Sequence, residues 1–213
     1  MVKNSLKIPF LSAVAVDAVP EALGRFGEPF EVSNVNWKEE FPYTPLCRGR
    51  IARTDEAFLI GWEVSGIGVT VRNLEDGGPI WEDSCCEFFF KDPAWPHYFN
   101  IEVNAGGYLL VGKGTCRTDR VLLPKEEMAR IVRIGGVPAP VERSEGRCDW
   151  RMTLILPFDL FGLDASALPP VLQGNIYKCG DKTARPHFLS WAPIDTPAPD
   201  FHCPRFFGDL LLV

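Results

Sequence analysis

The chain has no long hydrophobic run and no block of basic residues. No apolar stretch approaches the roughly 18 residues that cross a bilayer as a helix, so the sequence predicts no membrane insertion. The net charge is −6 and no cluster of lysine or arginine stands out, which argues against a nucleic acid partner. The acidic surface also disfavours binding to anionic membranes or phosphorylated substrates.

The amino-terminal segment lacks the features of a secretory leader. Lys3 and Lys7 would supply its positive region, but Pro9 divides the apolar stretch and Asp17 follows where the stretch would continue. We expect a strand near residues 6–11 instead. As the sequence stands, the expected location is cytoplasmic; if a leader has been removed, the location is secreted or periplasmic.

The cysteines do not form a recognisable disulfide framework. Their number is odd, and no two have the CxxC spacing. They are Cys47, Cys85, Cys86, Cys116, Cys148, Cys179 and Cys203. In a strand, Cys85 and Cys86 point to opposite faces. We therefore expect reduced thiols that serve as small apolar side chains.

Helical periodicity is scarce, whereas short alternating runs are frequent. Nineteen glycines and nineteen prolines divide the chain at short intervals. The runs at 57–66 and 84–90 have the apolar character of strands, and 97–112 reads as two strands around a Gly106-Gly107 turn, which indicates a hairpin.

The last strands are expected within 174–181 and 206–213, and short helices within 123–131 and 157–164. Many short strands at this spacing predict an all-β fold, an antiparallel β-sandwich with one or two short helices. The length suits a single domain over residues 1–213.

The strand at 84–90 is unusual because it places a carboxylate among large apolar residues. Alternation sends Cys86 and Phe88 to one face and Glu87 to the other. The next strand sends its own polar residues to the second face. They are Asn100, Glu102 and Asn104. Because a sandwich has one core face per sheet, we expect Glu87 and these residues on the outer face, beside Trp81.

This arrangement is typical of a sugar site, because carboxylates and amides bind hydroxyls and the C–H face of a sugar packs on an aromatic ring. The same residues also suit a solvated face with cross-strand polar pairs, and both interpretations remain open. A second candidate segment, 182–208, is stiffened by prolines and carries His187, Trp191, His202 and Arg205. It is either a functional loop or a packed one in which Trp191 covers the sheet edge.

Four segments together resemble the family 9 carbohydrate-binding modules. They are WEDSCCEFFF, YFNIEVNAGG, HFLSWAP and PDFHCPRFFGDL, and the resemblance extends over about 51–213. It implies a β-sandwich of jelly-roll type in which two tryptophans hold a sugar ring and polar side chains hold the end of a glycan. Carried over by position, it implies that Trp81 and Trp191 stack on the sugar and that Glu87 accepts hydroxyl hydrogen bonds, with Asn104 as a weaker contact.

Family members often bind calcium, so the resemblance makes calcium a candidate structural ion. No oxygen-rich cluster identifies its site, and Asp83 and Asp92 are the candidate ligands. The complete set of expected ligand-binding residues is Trp81, Glu87, Asn100, Glu102, Asn104, Trp191, His202 and Arg205. The expected partner is a carbohydrate held between two tryptophan rings by a non-catalytic domain.

A glycoside hydrolase is the main alternative, because Glu87 and Glu102 on adjacent strands would place their carboxyls about 5 Å apart, as a retaining mechanism requires. A metal site is the second alternative. Its ligands would be His97, His187, His202, Cys179 and Cys203. A nucleophilic pair of Cys203 and His187 is the third. An interaction module without a sugar ligand is the fourth.

Overall fold

The computed structural model describes residues 3–213, which form mainly strands. The strands are β1 (Ser5–Ile8), β2 (Glu28–Glu31), β3 (Asn34–Val35), β4 (Leu46–Arg53), β5 (Ala57–Val71), β6 (Cys85–Lys91), β7 (Tyr98–Asn104), β8 (Leu109–Gly114), β9 (Val121–Leu122), β10 (Val132–Gly135), β11 (Val141–Pro157), β12 (Val171–Cys179), β13 (Phe188–Ser190) and β14 (Gly208–Leu212). The helices are α1 (Val19–Phe26) and α2 (Lys125–Met128), and 3-10 turns span Val16–Ala18, Ile80–Glu82, Phe158–Phe161 and Pro204–Phe206. No helix in this range is long and apolar enough to cross a membrane.

The strands form two sheets that pack face to face, as the sequence predicts. The larger sheet has the order β1-β14-β12-β6-β7-β8-β9, with β13 also pairing with β12 and β3 pairing with β13. The smaller sheet has the order β10-β11-β5-β4-β2. Within residues 3–213 the strand pairs are antiparallel except β1 and β14, which run parallel with Ser5 opposite Asp209. The predicted all-β sandwich is confirmed, and this one parallel pair lies at the edge of the larger sheet.

The main core lies between the two sheets. Strand β6 directs Phe88 and Phe90 inward, and β5 directs Phe58 and Trp62 toward them. The ring centroids of Phe58 and Phe90 are 5.5 Å apart in an edge-to-face arrangement. Full burial of one such side chain contributes about 1.5–3 kcal/mol relative to an exposed one, so this layer supplies much of the stability.

The outer face of the larger sheet is also covered. Phe89, Tyr98 and Tyr177 point away from the main core and form a second apolar cluster with Phe201. The rings of Tyr177 and Phe201 stack with centroids 4.1 Å apart. Residues 187–207, here named the covering segment, fold back over this face. The expectation of one core face per sheet is therefore wrong for β6 and β7, which are buried on both faces.

Helix α1 was not predicted from the sequence. Pro20 lies in its first turn, and Val19 and Leu23 are buried against residues of β4 and β5. The other two expected helical segments are present in shortened form. Helix α2 lies within 123–131, and a 3-10 turn lies within 157–164.

All seven cysteines are free, as the sequence predicts. Cys116 is exposed and the other six are buried. Cys86 faces the main core, whereas Cys85 faces the second apolar cluster. The two adjacent thiols thus lie on opposite faces of β6, as alternation requires.

Candidate functional site

Two carboxyl groups face each other near the middle of the larger sheet. Glu87 of β6 and Glu102 of β7 are direct cross-strand partners. Glu87 is 3% exposed and Glu102 is 2% exposed. Side chains directly opposite each other on one face have Cβ atoms about 4.5–5.5 Å apart. The two carboxyls therefore share one local environment beneath the outer surface.

Hydrogen bonds hold this pair in place. Oε1 of Glu102 accepts hydrogen bonds from Nδ2 of Asn100 at 3.0 Å and from Nη1 of Arg120 at 3.3 Å. The thiol of Cys179 donates to Oε1 of Glu87 at 3.0 Å. The second oxygen of Glu102, Oε2, is buried and has no hydrogen-bond partner within residues 3–213. A buried acceptor without a partner costs about 1–3 kcal/mol, so this atom marks a position where an external donor would bind favourably.

Burial and mutual repulsion keep protons on the pair. Burial raises the pKa of Glu102 to about 7, although Arg120 opposes the shift. The pKa of Glu87 is raised well above its ordinary value, first by burial and then by the charge of Glu102. Adjacent carboxyls at low dielectric do not both ionise readily. At neutral pH the pair therefore retains at least one proton and can donate as well as accept hydrogen bonds.

A cleft of about 320 Å³ opens over this pair. Its walls combine aromatic rings with converging polar groups. The lining residues are Trp81, Glu87, Glu102, Arg117, Arg120, Asp181, Phe188, Pro199, Asp200, Phe201 and His202. A cleft of this size is at the lower end of the range for small-molecule sites, which is about 300–1,000 Å³, and the mixture of groups is typical of such sites.

Two loops bring charged residues to the cleft. The loop at 115–120 follows β8 and contributes Arg117 and Arg120. Nη2 of Arg117 is 2.9 Å from Oδ1 of Asp200, which belongs to the covering segment. Asp119 stabilises the first loop by accepting hydrogen bonds from two of its backbone N–H groups, both at 2.9 Å. The ion pair therefore ties the two walls together.

His202 is a neutral polar group in the cleft wall. Its Nδ1 lies 2.7 Å from the hydroxyl oxygen of Tyr98. Burial lowers the pKa of His202 to about 3, and the charges of Arg120 and Arg117 act in the same direction. The imidazole is therefore uncharged at neutral pH and adds no positive charge to the cleft.

The structure brings half of the predicted site residues together. Trp81, Glu87, Glu102 and His202 line the cleft. Asn100 is completely buried, and its amide donates to Glu102. Asn100 therefore supports the carboxylate from below and does not line the cleft.

Two further predicted residues lie outside the cleft. Asn104 is buried at the end of β7, where its amide donates to Asp83 at 2.9 Å and its carbonyl oxygen accepts two backbone N–H groups of the hairpin turn. Arg205 is exposed, and its guanidinium carbon lies 4.7 Å from the ring centroid of Phe206. In this structure Asn104 shapes the turn and Arg205 is a surface residue.

Trp191 lies in the main core and not in the cleft. It is 9% exposed, and its six-membered ring fills the space where a Cβ on Gly208 would stand, at 2.5 Å. The physical reason is the alternation of β13, which continues through the next residue and directs Leu189 and Trp191 inward and Phe188 toward the cleft. The expected pair of tryptophans is therefore not formed, and a phenylalanine shares the wall with Trp81.

Several cleft residues were not predicted from the sequence. They are Arg117, Arg120, Asp181, Phe188, Pro199, Asp200 and Phe201. The run CRTDR at 116–120 directly follows the return strand of the predicted hairpin. Because that strand pairs with β7, its loop lies close to Glu102, and this proximity was the available signal for the two arginines.

Neither calcium candidate has oxygen-rich surroundings. The two carboxylate oxygens of Asp83 accept backbone N–H groups, from Arg72 at 3.1 Å and from Asn73 at 2.9 Å. Asp92 accepts the N–H of Ala94 at 2.8 Å within a turn. Donor groups around these carboxylates do not fit a cation, so these two residues do not fit a calcium site.

The predicted histidine and cysteine ligands are not brought together within residues 3–213. A different group of possible ligand atoms lies close together there. It consists of Cys85, Glu87 and Cys179. The hydrogen bond from Cys179 to Glu87 accounts for this proximity without an ion.

The proposed pair of Cys203 and His187 is also not formed. The thiol of Cys203 lies 3.3 Å from Oδ2 of Asp200, whereas Nε2 of His187 lies 2.8 Å from Nζ of Lys178. Burial raises the pKa of Cys203 to about 11. A thiol with a raised pKa is a poor nucleophile, so this residue is not activated for catalysis.

Comparison with known families identifies the class to which this fold and cleft belong. The family model for "Carbohydrate-binding family 9" matches residues 17–212, which is most of the chain. The protein is therefore a non-catalytic carbohydrate-binding domain, and the comparisons give no support to the glycoside hydrolase alternative. Specifically, the chain belongs to carbohydrate-binding family 9, as the resemblance of its four segments implied.

Solved structures share the fold. A candidate carbohydrate-binding protein from Bacteroides uniformis ATCC 8492 is 35% identical, with a TM-score of 0.91 and 100% of both chains covered. A family 9 module from Caldicellulosiruptor kristjanssonii in complex with glucose is 11% identical, with a TM-score of 0.59 and 99% of this chain and 96% of that chain covered. A family 9 module from the same organism in complex with cellotriose is also 11% identical, with a TM-score of 0.61 and 98% of this chain and 93% of that chain covered. No curated protein sequence matches the chain significantly.

Proposed function

We propose that the cleft binds a neutral sugar, with the sugar ring against Trp81 and hydroxyl groups bonded to Glu87 and Glu102. The observation that carries the proposal is the buried Oε2 of Glu102, which has no hydrogen-bond partner within residues 3–213. A sugar hydroxyl supplies the missing donor, and the retained proton on the carboxyl pair donates in return. The adjoining aromatic rings accept the apolar face of the sugar.

The charges around the cleft favour a neutral ligand over an acidic one. Arg117 is paired with Asp200 at 2.9 Å, and Arg120 is paired with Glu102 at 3.3 Å. Each arginine therefore already has a carboxylate partner, with which an acidic ligand would have to compete. Asp181 adds a further acid, whose pKa is raised by burial to about 6. A uronic acid would therefore meet repulsion without a compensating cation.

Glucose and cellotriose are the first ligands to test, because the related C. kristjanssonii modules hold them. A single stacked ring with a few hydrogen bonds supports an affinity in the micromolar to millimolar range, or roughly −4 to −8 kcal/mol. The chain would bind the sugar as one domain, because both sheets contribute to one main core.

Isothermal titration calorimetry tests the proposal with two matched variants. Trp81→Ala removes the ring at the cleft, whereas Trp95→Ala removes a similarly half-buried ring that stacks on His97 outside the cleft. We expect Trp81→Ala to weaken sugar binding at least tenfold and Trp95→Ala to leave it unchanged. Full affinity in a correctly folded Trp81→Ala protein would contradict the proposed site. Failure of the wild type to bind any neutral glycan on an array would contradict the proposed ligand class.

A further inference from the structure

A lysine lies inside the sandwich, on the face of β12 opposite to the cleft. Lys178 is 1% exposed. Its Nζ donates to the carbonyl oxygen of Cys179 at 2.6 Å and to Nε2 of His187 at 2.8 Å. An ammonium group has three N–H donors, so one donor remains for another partner.

No carboxylate forms a direct ion pair with this lysine. Within residues 3–213, none of the salt bridges includes Lys178. Burial and the nearby ammonium lower the pKa of His187 well below its ordinary value, so this neighbour is uncharged. The Trp150 ring, 5.9 Å away, offers only a partial counter-charge. An unpaired buried charge is strongly unfavourable, so an anion beside this ammonium would stabilise the folded protein.

A small cavity of about 20 Å³ lies beside the ammonium. This volume is enough for one species of roughly the size of a water molecule. Residues of cationic and hydroxyl type contribute to its lining, and no Asp or Glu does. They are Lys178, Arg143, Arg185, Thr70, Ser84 and Thr183. A cavity with this lining favours an acceptor that carries negative charge.

The cavity is a product of the local backbone. Strand β11 shifts its register against β5 between Arg143 and Arg147, which forms a β-bulge. Gly68 on β5 has φ +78°, and a Cβ at this position would approach the carbonyl oxygen of Arg143 to 2.4 Å. Neither Arg143 nor Arg185 forms a salt bridge within the described residues, so both add positive charge near the cavity.

We propose that this cavity binds a halide ion, with chloride as the natural occupant and the Lys178 ammonium as its principal ligand. The ion accepts the remaining N–H of the ammonium and compensates its charge. Arg143 and Arg185 raise the local concentration of anions. The site lies on the opposite side of β12 from the cleft, so it is a separate site from the proposed sugar site.

Thermal unfolding of the whole chain in sodium chloride and in sodium gluconate, at equal ionic strength, tests the halide site. We expect chloride to raise the Tm saturably by about 2–4 °C, because a ligand that binds only the folded state stabilises it. Bromide should act like chloride, and gluconate is too large for the cavity. Lys178→Met should abolish the difference between the salts, whereas Lys38→Met, at an exposed position, should preserve it.

Diffraction from crystals grown in bromide provides a second measurement, which decides the question even where Lys178→Met does not fold. We expect an anomalous peak beside Nζ of Lys178 in the wild-type protein. A Tm that is identical in chloride and gluconate, with no anomalous peak, would show a neutral amine or a water molecule and overturn the proposal. A peak without any Tm difference would show binding at crystal concentration only, which also overturns it.

Discussion

Glu102→Gln isolates the electrostatic contribution of the carboxyl pair to stability. Glutamine preserves the size of the side chain and its acceptor oxygen but cannot ionise. In the wild type, burial raises the pKa of Glu102 from 4.5 to about 7. The folded state therefore holds the proton more tightly than the unfolded state does. Stability from this group is fully present below pH 4.5 and is lost as the pH rises through about 7.

The magnitude follows from the shift in pKa. A difference of about 2.5 units corresponds to about 3.5 kcal/mol in full, because each unit is worth about 1.4 kcal/mol. Asp181 has a pKa of about 6 and adds a change of the same sign, but it remains in the variant. Removal of the Glu102 charge also lowers the pKa of Glu87, because that charge is its second-largest cause of elevation. The loss of the Glu102 titration and the lower pKa of Glu87 both make stability depend less on pH in the variant.

Urea unfolding at pH 5, 6, 7 and 8 measures the effect, with the free energy of unfolding obtained by linear extrapolation. We expect the variant to gain about 2.5 kcal/mol relative to the wild type between pH 5 and pH 8, because part of the full difference falls below pH 5. Glu126→Gln, at an exposed position without an ion pair among the described residues, is the control and should run parallel to the wild type. If the profile of Glu102→Gln also runs parallel to the wild type, Glu102 is not held protonated by burial and the reasoning fails.

Three further outcomes are expected. Trp191→Ala should lower the free energy of unfolding by about 3–5 kcal/mol in urea unfolding, because it empties a core position; a change below 1 kcal/mol would argue against core packing. Arg205→Ala should leave sugar affinity unchanged in calorimetry, because the residue lies outside the cleft, and a large loss would restore it to the site. Under native conditions an alkylating reagent should label Cys116 alone, and all seven thiols should react after unfolding, as mass spectrometry will show; rapid native labelling of several thiols would contradict their burial.

Alternation along the strands was sufficient to predict most of the fold. It correctly placed Cys85 and Cys86 on opposite faces of β6, and it placed Glu87 with Glu102. It did not predict α1, because the two buried residues of that helix, Val19 and Leu23, span only one turn. It also could not predict the parallel pairing of β1 with β14, because the partner of an edge strand depends on the tertiary arrangement.

Alternation placed the two cleft carboxyls on strands, whereas most of the cleft residues on loops were missed. Glu87 and Glu102 follow a period of two, whereas Arg117 and Arg120 lie in a loop that has no periodicity. The error at Trp191 arose because residues 188–190 were interpreted as part of a loop. As a strand, the same residues alternate, and Trp191 then shares the inward face with Leu189.

The covering segment closes the second apolar cluster and forms one wall of the cleft. An opening that separates Phe201 from Tyr177 also withdraws Asp200 and His202 from the ligand. A ligand that contacts these residues would therefore lose its contacts when the segment detaches, so binding would favour the closed segment. A bound sugar should slow amide hydrogen exchange in residues 187–207 in proportion to its saturation, while amides of the opposite sheet that exchange through independent local openings keep their rates. Under the proposed sugar binding, occupancy of the cleft would determine how long the covering segment stays closed, and exchange rates in that segment would report binding without a label on either partner.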